Sequence, residues 1–196
     1  MSKLYFRYGA MNSGKTTALL QVCHNYEERG MNIILIKPSI DVKGNDCVSS
    51  RLGVLRKVDF LIDNKTRIVD IIDLNNKPNA IIVDEAQFLE PYQVDELYYI
   101  SKMYDIPVIT YGLRCDFQMK GFPGATRLLE IADDIEELKT ICRCGKKATQ
   151  NMRLLDDQPI FEGEQILIDG TSNMTHESVC GKCYLEYRNN IKVRRK

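Results

Sequence analysis

The sequence predicts an α/β fold in which buried parallel strands alternate with helices. Apolar runs without polar alternation fill residues 33–36, 80–83 and 107–111, as expected for strands that are covered on both faces. The chain has 196 residues, of which 44% are hydrophobic and 28% charged, so it can bury a core of ordinary size. These features predict a parallel sheet with helices on both of its faces.

The first elements follow from local signals. Lys3–Tyr8 has the aromatic composition of a strand, and residues 15–29 carry the apolar stripe of a helix. Residues 32–37 form a strand that a proline ends, and a polar loop follows at about 39–51. A further helix is predicted at 92–103, between the second and third apolar strands.

The amino-acid composition of the chain changes near residue 140. Four of the seven cysteines lie beyond this point, turn-forming residues are more frequent, and no long helical pattern occurs before Cys183. Residues 165–168 have strand character and lead into a loop at 169–173. We therefore expect two domains, an α/β domain at 1–140 and a smaller one at 141–196.

Charge and hydropathy exclude several classes of protein. Lys plus Arg and Asp plus Glu each number 27, which gives a formal net charge of zero. Proteins that neutralise many phosphates usually have a basic excess, so nucleic acid is not expected as the main partner. The sequence contains no apolar run of about 18 residues and no signal-peptide pattern. We expect a cytoplasmic protein with no membrane partner.

The segment after the first predicted strand matches the phosphate-binding pattern G-x-x-x-x-G-K-S/T, in the strand-to-helix context that this pattern requires. Its glycines permit backbone conformations in which N–H groups point at phosphate oxygens, at the positive end of a helix. We expect Lys15 to reach the β- and γ-phosphates of ATP and Thr16 to ligate Mg²⁺. The predicted nucleotide-binding residues are Gly9, Ala10, Met11, Asn12, Ser13, Gly14, Lys15 and Thr16.

A second candidate site lies where the apolar strand Ile81–Val83 ends in two carboxylates, Asp84 and Glu85. Open α/β sheets bind ligands at this edge, so Asp84 is the candidate Mg²⁺ partner, through water. Glu85 is the candidate base that takes a proton from the attacking nucleophile. Ala86 and Gln87 complete the predicted nucleotide site. Activation of water by Glu85 would make an ATPase, and activation of a substrate hydroxyl would make a kinase.

Two other classes of protein are open at this point. The tetrapeptide at 84–87 is similar to the acidic box of nucleic-acid-dependent ATPases. Such helicases close a second domain over the nucleotide to supply an arginine finger, which 196 residues with one phosphate loop do not provide. The other alternative is a nucleotide-gated interaction protein that binds ATP without turnover.

The C-terminal cysteines predict a closed, structural Zn²⁺ site with tetrahedral thiolate ligands. The predicted ligands are Cys142, Cys144, Cys180 and Cys183. The second pair has the usual C-x-x-C spacing, whereas the first is the tighter C-x-C. Four free buried thiols are the alternative interpretation, and His176 is considered as a substitute ligand.

The motifs together resemble the zinc-containing thymidine kinase family of bacteria, phages and animal cytosol. The matching segments are Gly-Ala-Met-Asn-Ser-Gly-Lys-Thr at 9–16, Asp-Glu-Ala-Gln-Phe at 84–88, Tyr-Gly-Leu-Arg-Cys-Asp-Phe at 111–117 and the C-terminal cysteine module. The similarity extends from Leu4 to about Tyr187. It implies a RecA-like P-loop domain with a parallel sheet, followed by a small zinc-ribbon lasso domain.

The resemblance also implies roles for individual residues. Glu85 would take the proton from the thymidine 5′-hydroxyl, with Lys15 on the phosphates. Met11, Leu113 and Asn151 match family positions around the thymine methyl, and three phenylalanines match aromatic residues around the nucleoside. Residues 166–176 resemble the family's lasso, which reads the base through main-chain hydrogen bonds. The implied substrate-binding residues are Met11, Phe88, Leu113, Phe117, Phe122, Asn151, Leu167, Asp169 and His176.

The implied reaction transfers the γ-phosphate of ATP to thymidine and gives dTMP, a salvage step for DNA synthesis. A pocket for the 5-methyl group adds only about 1 to 3 kcal/mol, so we expect deoxyuridine to be a weaker acceptor. Family members form homotetramers and respond to dTTP, and both properties are implied here. The chain departs from the family in its lasso, where His176 stands near the place of a tyrosine, and in its flexible loop, which reads Asp41-Val42-Lys43.

Overall fold

The structure is a computed structural model, and it describes residues 1–40, 46–50, 53–165 and 173–194. In chain order, the elements are β1 (Leu4–Tyr8), α1 (Lys15–Glu27), β2 (Ile33–Pro38), β3 (Cys47–Ser49), β4 (Leu55–Lys57), β5 (Phe60–Ile62), α2 (Ile68–Ile71), β6 (Ala80–Val83), α3 (Pro91–Met103), β7 (Val108–Gly112), α4 (Pro123–Ile131), β8 (Asp134–Glu137), β9 (Thr140–Ile141), β10 (Lys147–Ala148), β11 (Gln150–Leu155), β12 (Gln158–Ile160), β13 (Met174–Val179) and α5 (Gly181–Arg194). A 3₁₀ turn at Ala86–Phe88 follows β6.

Six strands form a central sheet in the order β5-β2-β6-β7-β1-β8. Each neighbouring pair is parallel. The predicted parallel α/β sheet is therefore confirmed, and the carboxyl ends of β1, β6 and β7 meet at one edge. This edge receives both of the predicted nucleotide-site segments, because each of them directly follows one of these strands.

Helices cover both faces of the sheet, and each face has its own apolar core. On one face, Ile81 packs in a cluster with Leu97 of α3 and Leu128 of α4. On the other face, Ile82 packs in a cluster with Leu19 of α1. Adjacent residues of β6 thus point to opposite cores, which explains why this strand is apolar without alternation.

The observed elements differ from the predicted ones in two places. The loop predicted at 39–51 contains the strand β3, which pairs antiparallel with β4. The sequence predicts that the strand ends at Lys37, before the proline. In the structure Pro38 is the last residue of β2, and it pairs with Ile62 of the edge strand β5. Since the pairing of β2 with β6 stops at Ile36, the proline removes no ladder donor on that side.

The C-terminal region has a hairpin of β9 and β10, a three-stranded antiparallel sheet in the order β12-β11-β13, and α5. Its small apolar cluster includes Met152, Val179 and Tyr184. The Tyr184 hydroxyl donates a hydrogen bond to the carbonyl of Phe117 at 2.7 Å, which links α5 to the chain after β7. The strand and loop predicted at 165–173 fall largely on residues 166–172, outside the described part of the chain.

Among the helices that the structure describes, none combines the length and the apolar character needed to cross a membrane.

A truncation in the larger core should separate buried from exposed positions on the same helix. Leu97→Ala removes a side chain that has no exposed surface, and we expect a loss of about 2 to 5 kcal/mol in the free energy of unfolding. Met103, also in α3, is 65% exposed, so Met103→Ala should change stability by less than about 0.5 kcal/mol. Urea denaturation measures both, and equal effects would contradict the packing described here.

Candidate active site

The phosphate loop, residues 9–16, joins the end of β1 to the start of α1. Gly14 precedes the helix with φ +81°, a left-handed conformation that suits glycine. A Cβ built on Gly9 would lie 2.4 Å from the Ser13 hydroxyl and 2.5 Å from the Leu138 carbonyl, so the backbone approaches too closely for a side chain. Among the described residues, the buried Ser13 Oγ has no hydrogen-bond partner, which fits a loop that receives an anion.

Lys15 folds back over this loop. Its Nζ donates to the carbonyl of Gly9 at 3.2 Å and to that of Ala10 at 3.0 Å. Partial burial lowers the pKa of Lys15, while the negative charges of Glu85 and Asp84 oppose that shift. The structure thus brings the lysine and both carboxylates of the predicted site together.

The acidic strand end has an unusual backbone. Glu85 has φ +49° and ψ +39°, a left-handed conformation that costs a residue with a side chain about 1 to 3 kcal/mol and is found both in turns and at functional sites. The Glu85 amide donates to the buried Asp84 carboxylate at 3.0 Å. Gln87 holds the Glu85 side chain, because its Nε2 donates to Glu85 Oε2 at 2.5 Å.

Gln87 also binds the end of β7. It is only 1% exposed, and its Oε1 accepts a hydrogen bond from the Leu113 amide at 3.0 Å. A Cβ on Gly112 would lie 2.7 Å from that oxygen, so the absence of a side chain at this position makes room for the glutamine. The predicted site included Gln87 as part of a tetrapeptide, but its bond to the neighbouring strand has no signal in the sequence.

Two cavities lie next to Glu85 and Gln87. The first has a volume of about 330 Å³, and its lining is Met11, Asn12, Ser13, Gly14, Lys15, Thr16, Thr17, Ser49, Glu85 and Leu113. The second, about 450 Å³, is lined by Gln87, Phe88 and Phe122, together with residues of the β2 and β5 ends and Gln165. The rings of Phe88 and Phe122 meet edge to face at 5.5 Å between centroids. Glu85 and its partner Gln87 therefore stand between a phosphate-loop cavity and a partly aromatic one.

The second cavity has wall residues that sequence reasoning missed. They are Pro38, Ser39, Ile40, Ile62, Asp63, Asn64, Leu89, Glu90, Gln93, Pro123 and Gln165. The ends of parallel strands predict that β2 contributes to this edge, but the strand β5 is too short to be found from its pattern. Phe117, predicted to contact the nucleoside, is buried and is not in the lining of either of these two cavities, and the Arg153 guanidinium lies over its ring.

Asn151 connects the C-terminal region to the phosphate loop. Its side-chain oxygen accepts a hydrogen bond from the Met11 amide at 2.8 Å, and its nitrogen donates to the Cys115 carbonyl at 3.1 Å. The Ser178 hydroxyl donates to the Met11 carbonyl, and Thr140 Oγ1 donates to the Asn12 carbonyl at 3.3 Å. Both polar ends of Asn151 are thus bonded to the main chain around the loop.

His176 lies in β13 opposite Arg153 of β11. Arg153 Nε and His176 Nε2 are 3.4 Å apart. The histidine is outside the group of side chains that could hold a metal in the described part of the chain, so the substitute-ligand alternative is not supported. Leu167 and Asp169 lie outside the described residues.

The four predicted cysteine ligands converge. Their sulfur atoms all lie within 4.8 Å of one another, and the sulfurs of Cys144 and Cys180 are 3.6 Å apart. Tetrahedral Zn²⁺ with Zn–S bonds of about 2.3 Å requires sulfurs about 3.8 Å apart, so the cluster fits this ion. The Cys183 amide, 3.5 Å from the sulfur, stabilises the Cys180 thiolate and lowers the pKa of Cys180 to about 7.

A glycine-containing phosphate loop at the edge of a parallel sheet, with a lysine facing two carboxylates, defines a P-loop nucleotide-binding protein. Comparison with known proteins gives the family. A family model described as thymidine kinase matches residues 2–184, and the chain belongs to the thymidine kinase family.

Three relatives, each named thymidine kinase, match nearly the whole chain. The one from Enterococcus faecalis is 46% identical over 187 residues, which cover 94% of this chain and 95% of the relative. The one from Shewanella oneidensis is 44% identical over 191 residues, covering 95% and 98%. The one from Streptococcus gordonii is 42% identical over 188 residues, covering 95% and 97%. The resemblance found in the sequence is confirmed.

Replacing Gln87 should affect turnover more than nucleotide binding. Gln87→Met keeps the bulk of the side chain but removes the hydrogen bond that holds Glu85, and we expect kcat to fall about 10- to 100-fold. The KM for ATP should stay within about twofold, because the phosphate loop is untouched. Steady-state kinetics measure both constants. Gln21→Met, which removes a hydrogen bond on the exposed face of α1, is the control, and an unchanged kcat in Gln87→Met would refute the role of this contact.

Proposed function

We propose that the chain transfers the γ-phosphate of ATP to the 5′-hydroxyl of thymidine and releases dTMP and ADP. The observation that carries this proposal is Glu85, which lines the phosphate-loop cavity and is bonded to Gln87 on the wall of the Phe88–Phe122 cavity. Membership of the thymidine kinase family supports thymidine as the acceptor.

The first cavity suits the triphosphate. Backbone N–H groups of the loop, the start of α1 and the Lys15 ammonium would neutralise the β- and γ-phosphates. The unpartnered Ser13 hydroxyl, seen among the described residues, would meet a phosphate oxygen. Residues 9–16 with Asp84, Glu85, Ala86 and Gln87 would form the nucleotide site.

The donor set for Mg²⁺ consists of the Thr16 hydroxyl and, through water, the buried Asp84 carboxylate. These hard oxygen donors fit that ion, which would lower the negative charge on the transferred phosphate group when bound. Asp84 also accepts the Glu85 amide, so the same carboxylate fixes the backbone of the candidate base.

Glu85 would act as the general base. As the 5′-oxygen bonds to the γ-phosphorus, the bond from that phosphorus to the bridging oxygen breaks, ADP leaves, and the hydroxyl proton passes to the Glu85 carboxylate. A sugar hydroxyl held by the neighbouring cavity would have the advantage of proximity over water. This favours a kinase over an ATPase.

Apolar residues would recognise the nucleoside. Phe88 and Phe122 line the second cavity, and Leu113 and Met11 line the first beside Glu85. Phe117, which is buried, would support the second cavity without lining it. Asn151, which we expected near the thymine methyl, would act through the Met11 peptide that it binds. Deoxyuridine, which lacks the methyl, would be the weaker acceptor.

The C-terminal cysteines would bind one structural Zn²⁺, and residues 141–196 would form a zinc-binding lasso domain beside the P-loop domain at 1–140. The separate apolar cluster around Met152 and Tyr184 supports this division. A homotetramer and feedback by dTTP belong to the proposal and rest on the family resemblance. A cytoplasmic location, which we expect from the sequence, completes it.

The base is tested by Glu85→Gln, which keeps the shape of the side chain but cannot accept the proton. We expect kcat to fall about 10²- to 10⁴-fold, with ATP still bound. Glu136→Gln, an exposed residue of β8, is the control. Formation of dTMP from ATP and thymidine is followed by chromatography, together with ADP release in the presence of single-stranded DNA. Undiminished turnover would remove Glu85 from the mechanism, and DNA-stimulated ADP release without dTMP would favour the helicase-like alternative.

The metal is tested by native mass spectrometry and metal analysis. We expect about one zinc ion per chain, and loss of zinc with a lowered Tm in Cys180→Ser, because three thiolates bind Zn²⁺ more weakly than four. Cys47→Ser, outside the cluster, should keep the metal. A wild-type mass without zinc would contradict the four-cysteine site.

A further inference from the structure

Arg153, in the middle strand of the C-terminal sheet, is almost completely buried. Only 4% of the residue is exposed, and its guanidinium carbon lies 3.7 Å from the centre of the Phe117 ring. This distance is that of a guanidinium stacked on an aromatic face. Phe117 is one of the residues proposed to support the nucleoside cavity.

The same guanidinium binds the main chain near the second cavity. Nη1 donates to the Glu164 carbonyl at 2.8 Å, and Nη2 donates to the Gln165 carbonyl at 2.9 Å. A planar fork with fixed donor directions sets the positions of two consecutive peptides more strictly than a single donor does. Gln165 is part of the wall of that cavity.

The bound segment is also attached to the turn between Phe117 and Phe122. The Gln118 side chain donates to the Gly163 carbonyl at 3.0 Å, and the Gln165 side chain donates to the Gly121 carbonyl at 3.3 Å. Arg153 therefore contacts both the Phe117 ring and the main chain of Glu164 and Gln165, and Gln165 lines the second cavity.

Burying a charged side chain at this position costs desolvation free energy. Burial lowers the pKa of Arg153, with the nearby charge of Asp116 opposing the shift, and apolar side chains often replace buried charges with no loss of stability. Core packing alone would be served by leucine or methionine. The directional bonds to Glu164 and Gln165 are what an arginine adds.

We propose that Arg153 is a positioning residue for the nucleoside: stacked on the buried Phe117 ring, it fixes the main chain of Gln165, which lines the Phe88–Phe122 cavity. The inference rests on the proposed function and deepens it, because it assigns part of thymidine affinity to a side chain that does not itself line the cavity. Loss of the fork should weaken nucleoside binding and leave the phosphate loop unaffected.

The experiment compares Arg153→Met and Arg153→Lys with wild type. Methionine keeps an unbranched apolar chain against Phe117, and lysine keeps the charge with a single donor group. We expect the thymidine KM and the thymidine Kd to rise about 10- to 100-fold in Arg153→Met and less in Arg153→Lys, as expected for the loss of charged hydrogen bonds. The ATP KM should stay within about twofold, and the zinc content should not change.

Arg143→Met is the matched control, since this arginine is exposed and pairs with Glu177 in the same region. It should leave the thymidine Kd unchanged. If Arg153→Lys binds thymidine more tightly than Arg153→Met while the two variants have the same Tm, the loss of affinity comes from positioning and not from folding. If the methionine variant does not fold, the comparison of Arg153→Lys with wild type tests the inference. An unchanged thymidine Kd, or equal rises in the thymidine and ATP constants with loss of zinc, would overturn the inference. Failure of the wild-type protein to bind thymidine by calorimetry would instead overturn the proposed function.

Discussion

The hydrogen bonds of the Gln87 side chain connect the candidate base to the end of a neighbouring strand. One end of this buried amide donates to the Glu85 carboxylate, and the other accepts the Leu113 amide after β7. A neutral group with one donor end and one acceptor end suits this place, because it orients a carboxylate without adding charge. The left-handed backbone of Glu85 persists for the same reason, since the Asp84 and Gln87 contacts hold it from both sides.

The parallel sheet explains why these groups are neighbours. Strands β1, β6 and β7 deliver the phosphate loop, the carboxylates and Leu113 to a single edge, although Leu113 lies far along the chain from the loop at 9–16. Lys15 then lies near two negative charges that oppose the effect of burial on its pKa. Phosphoryl transfer needs aligned reactants and neutralised charge more than covalent chemistry, and a rigid sheet edge provides both.

Sequence patterns predict the parts of the molecule whose conformation depends on a few adjacent residues. The loop before α1 and the carboxylates after β6 are fixed by a few adjacent residues, so the sequence predicts them well, as it does the pairs of cysteines. Strands of three residues, such as β3 and β5, are too short to show a period, and they form by pairing with other strands, β3 with the nearby β4 and β5 with β2. The roles of Gln87, Asn151 and Arg153 depend on contacts across the fold, which one sequence does not display.

The C-terminal region is hydrogen-bonded to the phosphate loop and contributes Gln165 to the wall of the Phe88–Phe122 cavity. The peptide groups of Met11 are bonded on one side to Asn151 and on the other to Ser178, and these residues face each other in β11 and β13. Ser178 is two residues from Cys180, so the convergence of the four sulfurs constrains the strand that binds the loop. A phosphate loop binds an anion best when its amides are already in place in the free protein, because their reorganisation during binding would lower the binding free energy that is gained. The cysteine cluster is therefore linked, through Ser178 of β13, to the main chain of the phosphate loop.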